Sequence, residues 1–177
     1  MEATPAFWFP SPSPESTREA ARLLAGALNG AGAAIALLGP LGAGKTAFVK
    51  GLAEGLGLDP LAVGSPTFVI ACEYPLPDGR RLGHVDCYRV SGEDELDAAG
   101  FLDLLEPGVV LAVEWADRVP GALPADHVCL RLEPALGGDG EARRIEVLAG
   151  GAQAARIVGR WHQALADAGI PLPEQAR

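Results

Sequence analysis

Eight consecutive residues carry the strongest chemical signal in this chain: Gly39-Pro40-Leu41-Gly42-Ala43-Gly44-Lys45-Thr46. They satisfy the spacing GxxxxGK[ST] at every fixed position. Glycines adopt backbone angles closed to other residues, so successive N–H groups can converge on phosphate oxygens. A helix starting at the end of such a loop adds its positive end. Lys45 then reaches the β- and γ-phosphates, and the Thr46 hydroxyl is a ligand for Mg2+. The flanks agree, because the apolar run AAIALLG at 33–39 reads as a buried parallel strand and TAFVKGLAEGLG at 46–57 as a helix.

Phosphoryl chemistry at such a loop also needs carboxylates for the metal and its waters. Asp86 and Glu114 end the apolar runs LGHV and VVLAV, and either can bring its carboxylate to Mg2+ from a strand end. His84 and Asp86 alternate along their strand and so share a face. A zinc pair there lacks further ligands, since His127 and His162 are distant. His84 is read as a hydrogen-bonding neighbour of the nucleotide site, with a purely structural place in the sheet left open.

The base is chosen by elimination. Many GTPases select guanine with [NT]KxD, but Lys45 and Lys50 are the only lysines here, and Asp86 is followed by Cys87-Tyr88-Arg89 rather than by xxG. ATP is therefore the expected nucleotide. A kinase of a small substrate is the competing reading, with Arg80-Arg81 or Arg143-Arg144 as its lid. Each pair reads more simply as a solvated turn or hairpin end.

The elements that must position these residues follow the hydrophobic pattern. Residues 1–15 read as a Pro-rich lead-in. Ser16 and Glu19 have capping-box spacing before a helix whose apolar face is Leu23, Leu24, Ala27 and Leu28, ending at Asn29-Gly30. Strands are expected at 68–74 and 82–90 around the turn PLPDGRR, as a hairpin, then a helix over 92–105 with an acidic first turn. The run 109–115 reads as a second buried strand. Residues 127–133 and 143–149 alternate apolar and polar around a Gly-rich turn and read as an antiparallel hairpin. A C-terminal helix is expected over 151–169. Its face of Ile157, Val158, Trp161 and Leu165 packs on the domain's own core, or else docks a partner or a second copy.

Composition sets the frame. A chain of 177 residues with 49% hydrophobic and 21% charged residues suits one globular domain. Acidic residues outnumber basic ones 23 to 14, for a net charge of −9, which disfavours DNA and direct duplex binding. Three separated cysteines without a CxxC pair indicate reduced thiols in a cytoplasmic protein. The first residues have no basic region and are broken by Pro5, Pro10, Pro12 and Pro14, so no secretory signal is expected. No apolar stretch approaches the roughly 20 residues of a membrane helix.

GPLGAGKT at 39–46, SPTF at 65–68, HVDCYR at 84–89 and VEW at 113–115 together resemble, in this order, the TsaE (YjeE) family of bacterial P-loop ATPases. The resemblance spans about residues 16–150, with 151–177 as a helical extension and tail. It implies a single α/β P-loop NTPase-like domain, with a mixed β-sheet flanked by helices and a C-terminal antiparallel hairpin and helix. It implies Mg2+-dependent ATP hydrolysis serving the threonylcarbamoyl modification of adenosine 37 in tRNAs that read ANN codons. It further implies work with TsaB and TsaD, hydrolysis resetting that complex, and contact with tRNA only through it. By the same resemblance Gly39 to Thr46 hold the phosphates, Thr46 and Glu114 are Mg2+ ligands, and Asp86 positions water or links to the metal. Ser65, Pro66 and Thr67 form a switch-like segment near the γ-phosphate, Trp115 packs near the nucleotide, and Tyr88 and Arg89 belong to the Asp86 motif. Pro40 departs from the pattern, since the family often has Asp there, and it removes a backbone donor and a charge from the loop. Beside the kinase, a nucleotide-gated binding module without hydrolysis is the remaining alternative.

Overall fold

The computed structural model describes residues 6–64, 66, 69–135 and 140–173. One seven-stranded sheet runs through it in the order β1-β7-β6-β2-β5-β4-β3. The strands are β1 (Phe7–Ser11), β2 (Ala33–Leu38), β3 (Ala71–Pro75), β4 (Arg81–Asp86), β5 (Val109–Glu114), β6 (His127–Pro134) and β7 (Arg143–Ala149). The four central strands, β6, β2, β5 and β4, are parallel, while β1, β7 and β3 join antiparallel. This is the mixed α/β sheet expected.

Helices cover the two faces unequally. On one face lie α1 (Pro14–Leu28), α2 (Lys45–Gly55) and α4 (Ala152–Asp167), packed on Phe7, Phe9, Ile35, Leu37, Val128, Leu130, Ile145 and Val147. On the other, the short α3 (Glu93–Ala98) and a 3-10 turn at Phe101–Leu105 cover Ala34, Ala36, Val85, Leu111 and Val113. The central strands are buried on both sides, which explains their unbroken apolar runs.

Several boundaries differ from the sequence reading for local reasons. Residues 7–11, read as lead-in, form an edge strand with alternating burial, and Phe7 pairs with Val147. The cap of α1 is Ser13, not Ser16: Pro14 suits the first helical position, and the Ser13 hydroxyl accepts the Ser16 N–H at 3.3 Å. The expected helix over 92–105 breaks at Gly100, whose φ of 84° ends α3 in a left-handed turn. The strand expected at 82–90 stops at Asp86. The apolar face of α4 is buried, with Trp161 donating its indole N–H to the Ala20 carbonyl at 2.8 Å.

Candidate functional site

The chain leaves β2 at the carboxyl end of the parallel strands, where open α/β sheets hold their ligands. It turns through Gly39–Gly44 and enters α2 at Lys45. Gly39 is required by contact as well as by its φ of 141°, because a Cβ there would collide with the Leu132 carbonyl of β6. The Lys45 ammonium crosses the mouth of the loop, donating to the carbonyls of Gly39 at 2.6 Å and Pro40 at 2.9 Å. The Pro40 carbonyl also accepts the Ala43 N–H at 3.1 Å, which closes the turn. Pro40 thus keeps a structural use through its oxygen although it offers no N–H.

A polar chain runs from the loop into the sheet. The Thr46 hydroxyl donates to Glu114 Oε2 at 3.0 Å, and Glu114 Oε1 lies 2.8 Å from His84 Nε2. His84 Nδ1 is buried with no partner among the described residues, which leaves Nε2 as the atom that engages Glu114. His84 thus engages Glu114 by a hydrogen bond from within the sheet. Asp86 sits directly across from Glu114 in the β4–β5 register, and its Oδ1 accepts the Tyr88 N–H at 2.9 Å. Lys45, His84, Asp86 and Glu114 are each at most 4% exposed. Burial draws the Lys45 ammonium below its ordinary pKa, and the carboxylates of Glu114, Asp86 and Asp117 act against that shift.

Aromatic groups wall the same space. Trp115 follows Glu114 in a left-handed conformation (φ 58°), a strained setting for so bulky a residue. The strain places its ring 3.7 Å from the Lys45 ammonium and 5.0 Å from the Tyr88 ring. Leu41 to Thr46, Asp86, Tyr88, Glu114 and Trp115 line a cleft of about 320 Å3. Gly39 and Pro40 face a neighbouring hollow with Arg131 and Glu133. Another cavity, lined by Asp126, His127 and Gln153, opens at the amino ends of the parallel strands, away from the loop.

Most of the expected site residues thus meet at one cleft. Ser65 and Thr67 lie outside the described residues. Arg80 and Arg81, considered as a lid, sit at the far end of β4, where Arg80 bonds Asp78 and Arg81 pairs with Glu73 and Glu106. Arg143, considered with Arg144 as a lid and read more simply as a hairpin end, instead contacts the loop backbone: its guanidinium reaches the Gly42 and Ala43 carbonyls. Two adjacent arginines opening a strand were the only signal, and they did not say which carbonyls would be met. The donor set of the cleft suits Mg2+, which takes oxygen ligands, often one or two carboxylates, and keeps its waters. Among the described residues there is no cluster of three or more His, Cys, Asp or Glu of the kind a zinc site would use.

The family model described as "Threonylcarbamoyl adenosine biosynthesis protein TsaE" matches residues 11–144. A relative named tRNA threonylcarbamoyladenosine biosynthesis protein TsaE from Streptomyces coelicolor is 47% identical over 122 residues, 68% of this chain and 80% of that protein. A protein of the same name from Bacillus subtilis is 42% identical over 130 residues, 73% of this chain and 77% of its own length. The crystal structure of Bacillus subtilis YdiB superposes with a TM-score of 0.68 at 32% identity, covering 92% of this chain and 97% of that one.

Proposed function

The chain belongs to the TsaE family of tRNA threonylcarbamoyladenosine biosynthesis, and on that footing we propose that it serves this modification as a Mg2+-dependent ATPase. The observation that carries the reading is the convergence of the Leu41–Thr46 part of the loop, with Lys45, Asp86 and Glu114, on one cleft. Loop N–H groups and Lys45 hold the β- and γ-phosphates and offset the charge that develops on their oxygens. Thr46 and Glu114 are the residues to hold Mg2+, because the hydroxyl and the carboxylate already meet at 3.0 Å. The ion, when bound, neutralises charge on the phosphate oxygens. His84 fixes the second oxygen of Glu114 and so sets the carboxylate's orientation. Asp86, across from Glu114, accepts a hydrogen bond from the attacking water and aligns it with the γ-phosphate. Trp115 walls the cleft and excludes solvent from Lys45.

TsaB and TsaD are the proposed partners, and ATP hydrolysis resets their complex between cycles in the cytoplasm. The net charge of −9 supports tRNA contact through the partners rather than through this chain. Among the described residues no helix is long and apolar enough to cross a membrane.

The test is phosphate release from ATP by the protein alone, then with TsaB, TsaD and tRNA. Release should appear or rise sharply only with the partners and vanish in Lys45→Ala. Release that is indifferent to the partners, or robust without them, would overturn the partner-gated reading and turn attention to other phosphoryl acceptors.

A further inference from the structure

Arg143 opens β7, about a hundred positions after the phosphate loop, yet two of its guanidinium nitrogens are bonded to that loop. Its Nε donates to the Ala43 carbonyl at 3.0 Å and its Nη2 to the Gly42 carbonyl at 2.9 Å. Its Nη1 donates to the Gly140 and Ala142 carbonyls of its own strand entry, at 2.7 and 2.9 Å, which anchors the fork. Arg144, next in the chain, turns to the other side of the strand and lies 4.1 Å from the Trp8 ring.

We infer that Arg143 is a positioning residue for nucleotide binding: it fixes the peptide planes of the phosphate loop from behind. The inference rests on the nucleotide-site reading above and adds a residue to it. The reason is covalent geometry. A trans peptide is planar, and its C=O and N–H point in opposite directions. Holding the Gly42 carbonyl therefore sets the Ala43 N–H, which donates to the Pro40 carbonyl at 3.1 Å. Holding the Ala43 carbonyl sets the Gly44 N–H. The Pro40 carbonyl in turn accepts the Lys45 ammonium at 2.9 Å. One guanidinium thus stands behind both the backbone donors and the lysine. A planar fork with several donors at fixed angles suits two neighbouring carbonyls, and an ammonium does not reproduce it. The guanidinium also adds a fixed positive charge close to an anion site without touching the anion.

Calorimetric affinities for ADP and ATP test this in the wild type, Arg143→Gln, Arg143→Lys and Arg144→Gln. Each is measured well below the unfolding midpoint found for that variant by circular dichroism. Removing hydrogen bonds from a charged donor to the loop should weaken both nucleotides about tenfold or more in Arg143→Gln. Arg143→Lys should recover part of the loss and Arg144→Gln should match the wild type. A merely structural arginine would lower the midpoint and leave the affinities of the folded protein unchanged. That result, or an equal loss in Arg144→Gln, overturns the inference. Should Arg143→Gln not fold, Arg143→Lys decides, because unchanged affinity there refutes the need for a fork. A wild type that binds neither nucleotide would sink the nucleotide-site reading itself, and this inference with it.

Discussion

Glu114 has both carboxylate oxygens engaged, one by Thr46 and one by His84, and its backbone carbonyl accepts the Cys87 N–H at 3.0 Å. The residue after Asp86 is therefore locked to the same strand end as the site. Burial raises the Cys87 thiol from its ordinary 9.0 to about 12, and the neighbouring Asp86 carboxylate adds to the effect. The unfolded thiol ionises first as pH rises, so the unfolded state loses its proton across this window while the folded state keeps it. Stability from this group should then fall between those two values, by at most about 1.4 kcal/mol per pH unit. Urea unfolding across that range should show a shallower decline in Cys87→Ala than in the wild type; parallel declines would refute the assignment. At this scale the sequence was most legible where chemistry demands rare combinations. Lys45 and Thr46 follow from the loop motif alone, and Asp86 and Glu114 from carboxylates that end apolar runs. Arg143 did not, because its partners are backbone carbonyls, which every residue carries.

Helix α4 shows what an element can borrow from elsewhere in the chain. Its N-cap, Gly151, has no side chain to satisfy the first N–H groups. Asp126, before β6, supplies the missing acceptor: Oδ1 takes the Ala154 N–H at 2.7 Å and Oδ2 the Gln153 N–H at 2.9 Å. Those donors, Ala154 first, hold the Asp126 carboxyl below the usual carboxylate range. The carboxylate's contribution is present at neutral pH and disappears as pH falls through the lowered pKa. Asp126→Ala should cost about 1 kcal/mol at neutral pH, and Asp126→Asn should keep most of the cap while losing its acid dependence. Chemical denaturation at neutral and acid pH checks both; equal stability of Asp126→Ala and the wild type at neutral pH would refute the cap. Element types were largely readable from periodicity, because β2 and β5 are buried on both faces and α1 carries one apolar stripe. Two of the misplaced boundaries are decided by a single residue. Pro14 moved the start of α1, and Gly100 cut the expected helix over 92–105.

On the scale of the whole molecule, the sheet is joined through its helical face by an aromatic cluster. Trp161 of α4 packs edge-on against Phe7 and Phe9 of β1 and Phe48 of α2, with ring centroids 6.0, 5.6 and 6.0 Å away. It is fully buried, so truncation leaves a cavity at the meeting point of the first strand, the loop's own helix and the last helix. Trp161→Ala should lower the unfolding free energy by about 3–5 kcal/mol. Equilibrium urea unfolding measures this, and a loss under about 1 kcal/mol would show that the junction is dispensable. The edge strand β1 was not legible in advance, because prolines at 5, 10, 12 and 14 read as irregular chain. Proline is tolerated on a sheet edge, where one side of the strand needs no donors. Only the tertiary pairing with β7 reveals the strand.

That pairing carries a consequence for biosynthesis. Ser11 lies opposite Arg143 in the β1–β7 register, so a segment made before the phosphate loop waits for one made well after it. Contacts so far apart in sequence form late, since the intervening chain must be gathered first. The complete GxxxxGKT motif is synthesised well ahead of the arginine behind it, which arrives only with β7. A nascent chain interrupted before that strand would hold the whole phosphate signature without the residue that sets it. Products that stop short of β7 would therefore compete poorly for ATP, and competence would begin with the synthesis of that strand.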